Sequence, residues 1–102
     1  MNTILFKTWL IQHNHSPKTA SDTISRLKKL NHSLIESPLS TSIDSEFDRD
    51  HCAQLVSSFS KNGKNETMET YQLTELPIGK KNIHTYKLAL TKYLLFKDTF
   101  HY

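Results

Sequence analysis

The strongest constraint on the fold lies in the stretch HSPKTASDTISRLKKL, residues 15–30. Ser16 followed by Pro17 marks a helix start: a serine oxygen caps unpaired amides, and proline at the first helical position gives up no hydrogen bond. Behind this pair Ala20, Ile24, Leu27 and Leu30 recur at three- and four-residue spacing, the period of a helix with one buried face. Lys18, Arg26, Lys28 and Lys29 fall over the rest of the surface. The pattern commits residues 17–34 to helix and leaves a basic exterior to be explained.

Three further helices follow from the same reasoning. Residues 3–13 carry Ile4, Leu5, Trp9 and Leu10 as a broad apolar face with Trp9 as the core anchor, and HNHSP ends that helix because a residue before proline resists the helical conformation. ESPLSTS, residues 36–42, reads as a loop. A third helix is expected within DRDHCAQLVSSFSKN, capped by Asp48, burying Ala53, Leu55, Val56 and Phe59, and ended by Gly63. Residues 62–79 have no clean period and read as a long irregular connection with room for one short turn or strand. The last helix starts at Asn82 as cap and buries Ile83, Tyr86, Ala89, Leu90, Tyr93, Leu94 and Phe96. With only two glycines and three prolines in 102 residues, the fold class expected is all-α: a small four-helix bundle forming a single domain over residues 1–102.

Several function classes fall away. No apolar run reaches membrane length, and the amino terminus alternates apolar with polar residues where a signal peptide would be continuously apolar, so a cytoplasmic protein without membrane contact is expected. The single cysteine, Cys52, has no partner for an internal disulfide and no orienting neighbour for a nucleophile. His13, His15, His32, His51 and Cys52 lack the paired short spacing of a structural zinc site, and the acidic run Asp44, Glu46, Asp48, Asp50 lacks the glycine and terminal glutamate of a calcium loop. Helix capping is the better account of those acids. Without a glycine-rich phosphate loop, no catalytic residue, metal or cofactor is expected.

Charge is distributed unevenly behind a net +3. Residues 1–30 hold Lys7, Lys18, Arg26, Lys28 and Lys29 against Asp22 alone, and residues 79–97 hold Lys80, Lys81, Lys87, Lys92 and Lys97 against no acid. Glu36, Asp44, Glu46, Asp48 and Asp50 lie between them with only Arg49. Two basic segments suit a nucleic-acid phosphate backbone. On the second helix the candidate contacts are Ser16, Lys18, Thr19, Ser21, Ser25 and Lys29, aided by amides of its first turn. On the last helix they are Lys80, Lys81, His84, Lys87 and Thr91, while Tyr86 and Tyr93 sit on the apolar stripe and belong to the core.

The opening FKTWLIQHNHSPKTASDTISRLKKL and the closing NIHTYKLALTKYLLF resemble the SAM-like core-binding domain of tyrosine recombinases and phage integrases, where a first helix leads into a Ser-Pro-x-Thr start of the second. Similar SAM-like domains accompany restriction enzymes and other DNA-processing proteins. The resemblance implies a non-catalytic module with Ser16, Lys18, Thr19 and the basic face of the last helix toward duplex DNA, and a larger recombinase or restriction-enzyme subunit as a further partner. The chain departs from that pattern in its longer connection over residues 62–79, and the arginines, histidines and tyrosine nucleophile of a recombinase catalytic domain have no counterpart. Two other readings use the same fold: a small phage or mobile-element factor that binds a host enzyme, or a domain excised from a larger recombinase or restriction enzyme.

Overall fold

Asn2 and Ser16 begin the first two helices. The Asn2 side chain accepts the Leu5 amide at 3.1 Å and starts α1, Thr3–Gln12, while the Ser16 hydroxyl accepts the Thr19 amide at 3.1 Å and starts α2, Pro17–Glu36. The computed structural model of the chain describes residues 1–100. Four further helices follow: α3, Ile43–Asp50; α4, Ala53–Ser57; α5, Glu66–Tyr71; and α6, Ile83–Phe100, with a 3₁₀ turn at Ser60–Gly63 between α4 and α5. The all-α class holds, with no strand among the described residues, but six α-helices replace the expected four.

The difference lies between α2 and α6. The third helix begins at Ile43, where the Ser42 hydroxyl accepts the Ser45 amide at 3.1 Å, so Asp48 is not its cap but stands in its last turn. The helix then breaks because His51 and Cys52 both adopt left-handed backbone, φ 55° and 60°. The connection over residues 62–79 contains a real helix, α5, capped by the Asn65 side chain on the Met68 amide at 2.8 Å. Six residues are too few for an apolar period to show, so Met68 and Tyr71 are buried without having announced a helix.

The core joins α1, α2 and α6. Phe6 is the hub: its ring lies 5.3 Å from those of Tyr93 and Phe96 and 6.1 Å from Trp9, centroid to centroid. Phe6, Trp9 and Leu10 form the buried side of α1, whereas Ile4 is 79% exposed and Leu5 is 49% exposed. This corrects the face assigned from spacing: α1 is apolar nearly all round, and periodicity alone does not choose a side. Leu55 and Phe59 are buried as expected, but Ala53 is exposed.

Two polar networks pin α3 in place. Glu46, buried, accepts both Arg49 Nε at 3.1 Å and Nη2 at 3.0 Å, takes the Tyr71 hydroxyl and meets Thr41 Oγ1 at 3.4 Å, which ties α3 to α5. Asp44 accepts Tyr93 Oη and Lys97 Nζ, each at 2.9 Å, and pairs with the Met1 ammonium at 3.2 Å. Burial alone would raise the Asp44 pKa from 3.8, but hydrogen bonds from Lys97, Tyr93 and the ammonium outweigh it and hold the group lower. A carboxylate with a lowered folded pKa stabilises the fold above its unfolded value, and that contribution disappears as pH falls through the folded value. Asp44→Asn should therefore lower the urea midpoint at neutral pH and flatten its decline in acid. An acid limb as steep as that of the wild type would contradict this role.

Candidate nucleic-acid interface

Three acids turn inward, Glu46 buried and Asp44 and Asp50 partly so, while Asp22, Glu36, Asp48, Glu66, Glu69, Glu75 and Asp98 are exposed. Among the described residues the ion pairs are Met1–Asp44, Arg49–Glu46, Arg49–Asp50 and Lys97–Asp44. Lys97 and Arg49 are thus the paired side-chain cations, and every other lysine has no carboxylate within bonding distance among those residues. The acidic run between the two basic segments does not form an acidic surface between them: Glu46 is 4% exposed, Asp44 and Asp50 are partly buried, and Asp48 is the run's one exposed acid. Outside that run, exposed Glu66 and Glu69 of α5 line a pocket together with Lys64.

The candidate residues of α2 divide into three groups. Ser16 and Thr19 bond to each other, hydroxyl to hydroxyl at 2.9 Å, and form the helix cap. Pro17 has no amide and the Thr19 amide is taken by Ser16, so little of the first turn remains for an anion. Lys18 and Lys29 share the outward stripe, but exposed Asp22 stands between them at four- and seven-residue steps. Ser21 and Ser25 turn toward α1 and line a cleft with Lys7 and Lys28. The α6 lysine placed near the start of α2 is Lys92, outside the expected set: burial first, then the charges of Lys92 and His13, lower the His15 pKa.

Four lysines flank the start of α6. Two turns meet there, one carrying Lys61 and Lys64 and the other Lys80 and Lys81, and the Gly79 amide donates to the Asn62 carbonyl at 2.6 Å to join them. All four lysines are exposed. The first turn is built from three successive left-handed residues, Lys61, Asn62 and Gly63, with φ of 55°, 58° and 84°. Gly63 also lies close to Ile78, whose Cγ2 would be 3.4 Å from an added Cβ, so the turns pack as well as bond. Gly79 has φ +83°, and a Cβ there would stand 2.6 Å from Lys64 Cε. Glycine thus lets the Lys64 stem cross over the second turn.

His84, Lys87 and Thr91 continue from this group at three- and four-residue steps along one flank of α6. His84 and Thr91 are exposed, Lys87 is half-buried, and the Thr91 hydroxyl donates to the Lys87 carbonyl at 2.9 Å. The α6 amides add little: those of Ile83, His84 and Thr85 already bond to the carbonyls of Lys80, Lys81 and Asn82 at 3.1–3.2 Å. Asn82 does stand directly before α6, with its carbonyl also accepting the Thr85 hydroxyl at 2.7 Å. Tyr93 is buried and Tyr86 packs against the core.

Lys61 and Lys64 were missed in sequence because Lys61 closes the stretch expected to be the third helix and Lys64 falls in the aperiodic segment over residues 62–79. The signal for them was the pair of glycine turns, Lys-Asn-Gly-Lys and Gly-Lys-Lys, each placing cations beside a residue suited to left-handed backbone. Cys52 is buried, its Sγ faces the Ile43 carbonyl at 3.5 Å, and burial pushes its thiol up to about 12. His13 stacks on Trp9 at 4.1 Å with Nδ1 donating to the Trp9 carbonyl at 2.7 Å. Among the described residues no three of His, Cys, Asp or Glu converge as metal ligands, and no helix is long and apolar enough to cross a membrane. No known protein family, curated protein or solved structure matches the chain.

Proposed function

We propose that the chain is a non-catalytic DNA-binding module whose lysines around the start of α6 neutralise duplex phosphates. The observation that carries this reading is the Gly79–Asn62 hydrogen bond, which brings Lys61, Lys64, Lys80 and Lys81 together with no bonded carboxylate among the described residues. Four cations on two packed turns present fixed positive charge to a polyanion while His84, Lys87 and Thr91 extend the surface along α6. Lys18 and Lys29 of α2 are secondary contacts, because Asp22 weakens the field between them. The resemblance to recombinase core-binding domains accords with this role, and a recombinase or restriction-enzyme subunit remains the kind of protein such a module would serve.

Titration of the isotope-labelled chain with a short duplex tests the surface. The amides of Lys61, Lys64, Lys80 and Lys81 should shift first, and those of Ser45 and Asp48 should stay fixed. Shifts confined to other elements, or none at all, would remove the assignment.

Lys61 offers a second test, because a lysine held at φ 55° is strained by about 1 kcal/mol where asparagine is better tolerated. Lys61→Asn should therefore keep or raise the thermal midpoint while weakening duplex affinity severalfold. A variant that loses stability while its duplex affinity is unchanged would show that the lysine serves the fold.

A further inference from the structure

The cleft between α1 and α2 has a different character from the lysine cluster. Ile24 forms its floor, Ile4 stands on the α1 wall 79% exposed, and Lys7 and Lys28 flank it, with the small Ser21 and Ser25 one helical turn apart on the α2 wall. Ile11, 44% exposed, lies two turns beyond Ile4 on the same stripe of α1. Exposed isoleucines seven residues apart repeat as one seam of a helix pair does, and serines four apart let another backbone approach closely. No carboxylate lines the cleft, Lys7 and Lys28 have no ion-pair partner among the described residues, and Asp22 faces outward. The volume, about 290 Å³, falls at the lower edge of small-ligand pockets and suits side chains entering from a helix.

We infer that this cleft docks an acidic amphipathic helix of a partner protein. Carboxylates of that helix pair with Lys7 and Lys28, its apolar residues cover Ile4 and Ile11, and Ser21 and Ser25 face its backbone. Charge complementarity chooses acidic over basic partners, and the isoleucines choose a peptide over a nucleic acid, since a phosphate backbone would neutralise the lysines but leave the apolar stripe uncovered. This surface is independent of the cluster at α6, so the two assignments stand or fall separately.

Selection of a random peptide library against the full chain, followed by anisotropy with the synthesised winners, tests the inference. The winners should combine aspartate or glutamate with apolar residues at three- and four-residue spacing. Their affinity should fall at least tenfold with Lys28→Glu and with Ile4→Ser, both at exposed positions that leave folding intact by circular dichroism, and should be unchanged by Lys80→Glu. The inference is overturned if no peptide is enriched, if the winners are basic, if they bind the two cleft variants as well as wild type, or if Lys28→Glu weakens duplex DNA binding with no peptide recovered, which would make the cleft part of a nucleic-acid surface.

Discussion

Phe6→Ala should destabilise the chain by about 3–5 kcal/mol, the range for emptying a large aromatic site in a close-packed core. Phe6 is fully buried, and its ring touches α6 through Tyr93 and Phe96 and its own helix through Trp9. Removing it opens a void where α1 meets α6, with three aromatic neighbours that cannot all close on it. A domain of this size has roughly 5–10 kcal/mol to lose, so urea unfolding followed by helicity should show most of the stability gone. Ile4, two residues earlier on the same helix and 79% exposed, is the internal control: Ile4→Ala should change the midpoint little. Equal losses from the two substitutions would mean that α1 is seated on its other face.

The second large effect is on binding. Reversing two lysines on the packed turns, Lys64→Glu with Lys80→Glu, removes two phosphate contacts and places two carboxylates in their stead. Each contact contributes about 0.9 log unit of affinity per decade of salt, so two contacts are worth roughly fifty- to hundredfold near 0.1 M salt, before repulsion is added. Both side chains are exposed and outside every ion pair among the described residues, so the circular dichroism spectrum and thermal midpoint should hold. The matching reversal at Lys18 and Lys29 should weaken binding less, because Asp22 already offsets part of their field.

Long helices were legible in the sequence and short ones were not. Ser16, Pro17 and the run Ala20, Ile24, Leu27, Leu30 specify α2 unaided, since twenty residues give the apolar period several turns to repeat. The stripe of α6 from Ile83 to Phe96 was read for the same reason, though half-buried Tyr86 and Leu94 lie at its margin. The α3–α5 region was misread because its determinants are tertiary. Ser42 rather than Asp48 starts α3, the left-handed His51 and Cys52 are set by chain reversal, and α5 is held by Tyr71 reaching Glu46 from twenty-five residues away. Charge misled in a similar way. Counting acids between the basic segments gave no hint that Glu46 and Asp44 fold inward onto Arg49 and Lys97, or that Asn62 and Gly79 bring separate lysines side by side.

The central claim is that the four lysines of the two joined turns act together on a polyanion. Fluorescence anisotropy of a labelled duplex across a salt series measures this most directly, because the slope of log affinity against log salt counts the phosphates engaged. Four contacts predict a slope of roughly −3 to −4 for the wild-type chain, and the Lys64→Glu, Lys80→Glu variant should lose about half of it. Duplex binding that is indifferent to salt, or a slope that the double reversal leaves unchanged, would contradict the assignment.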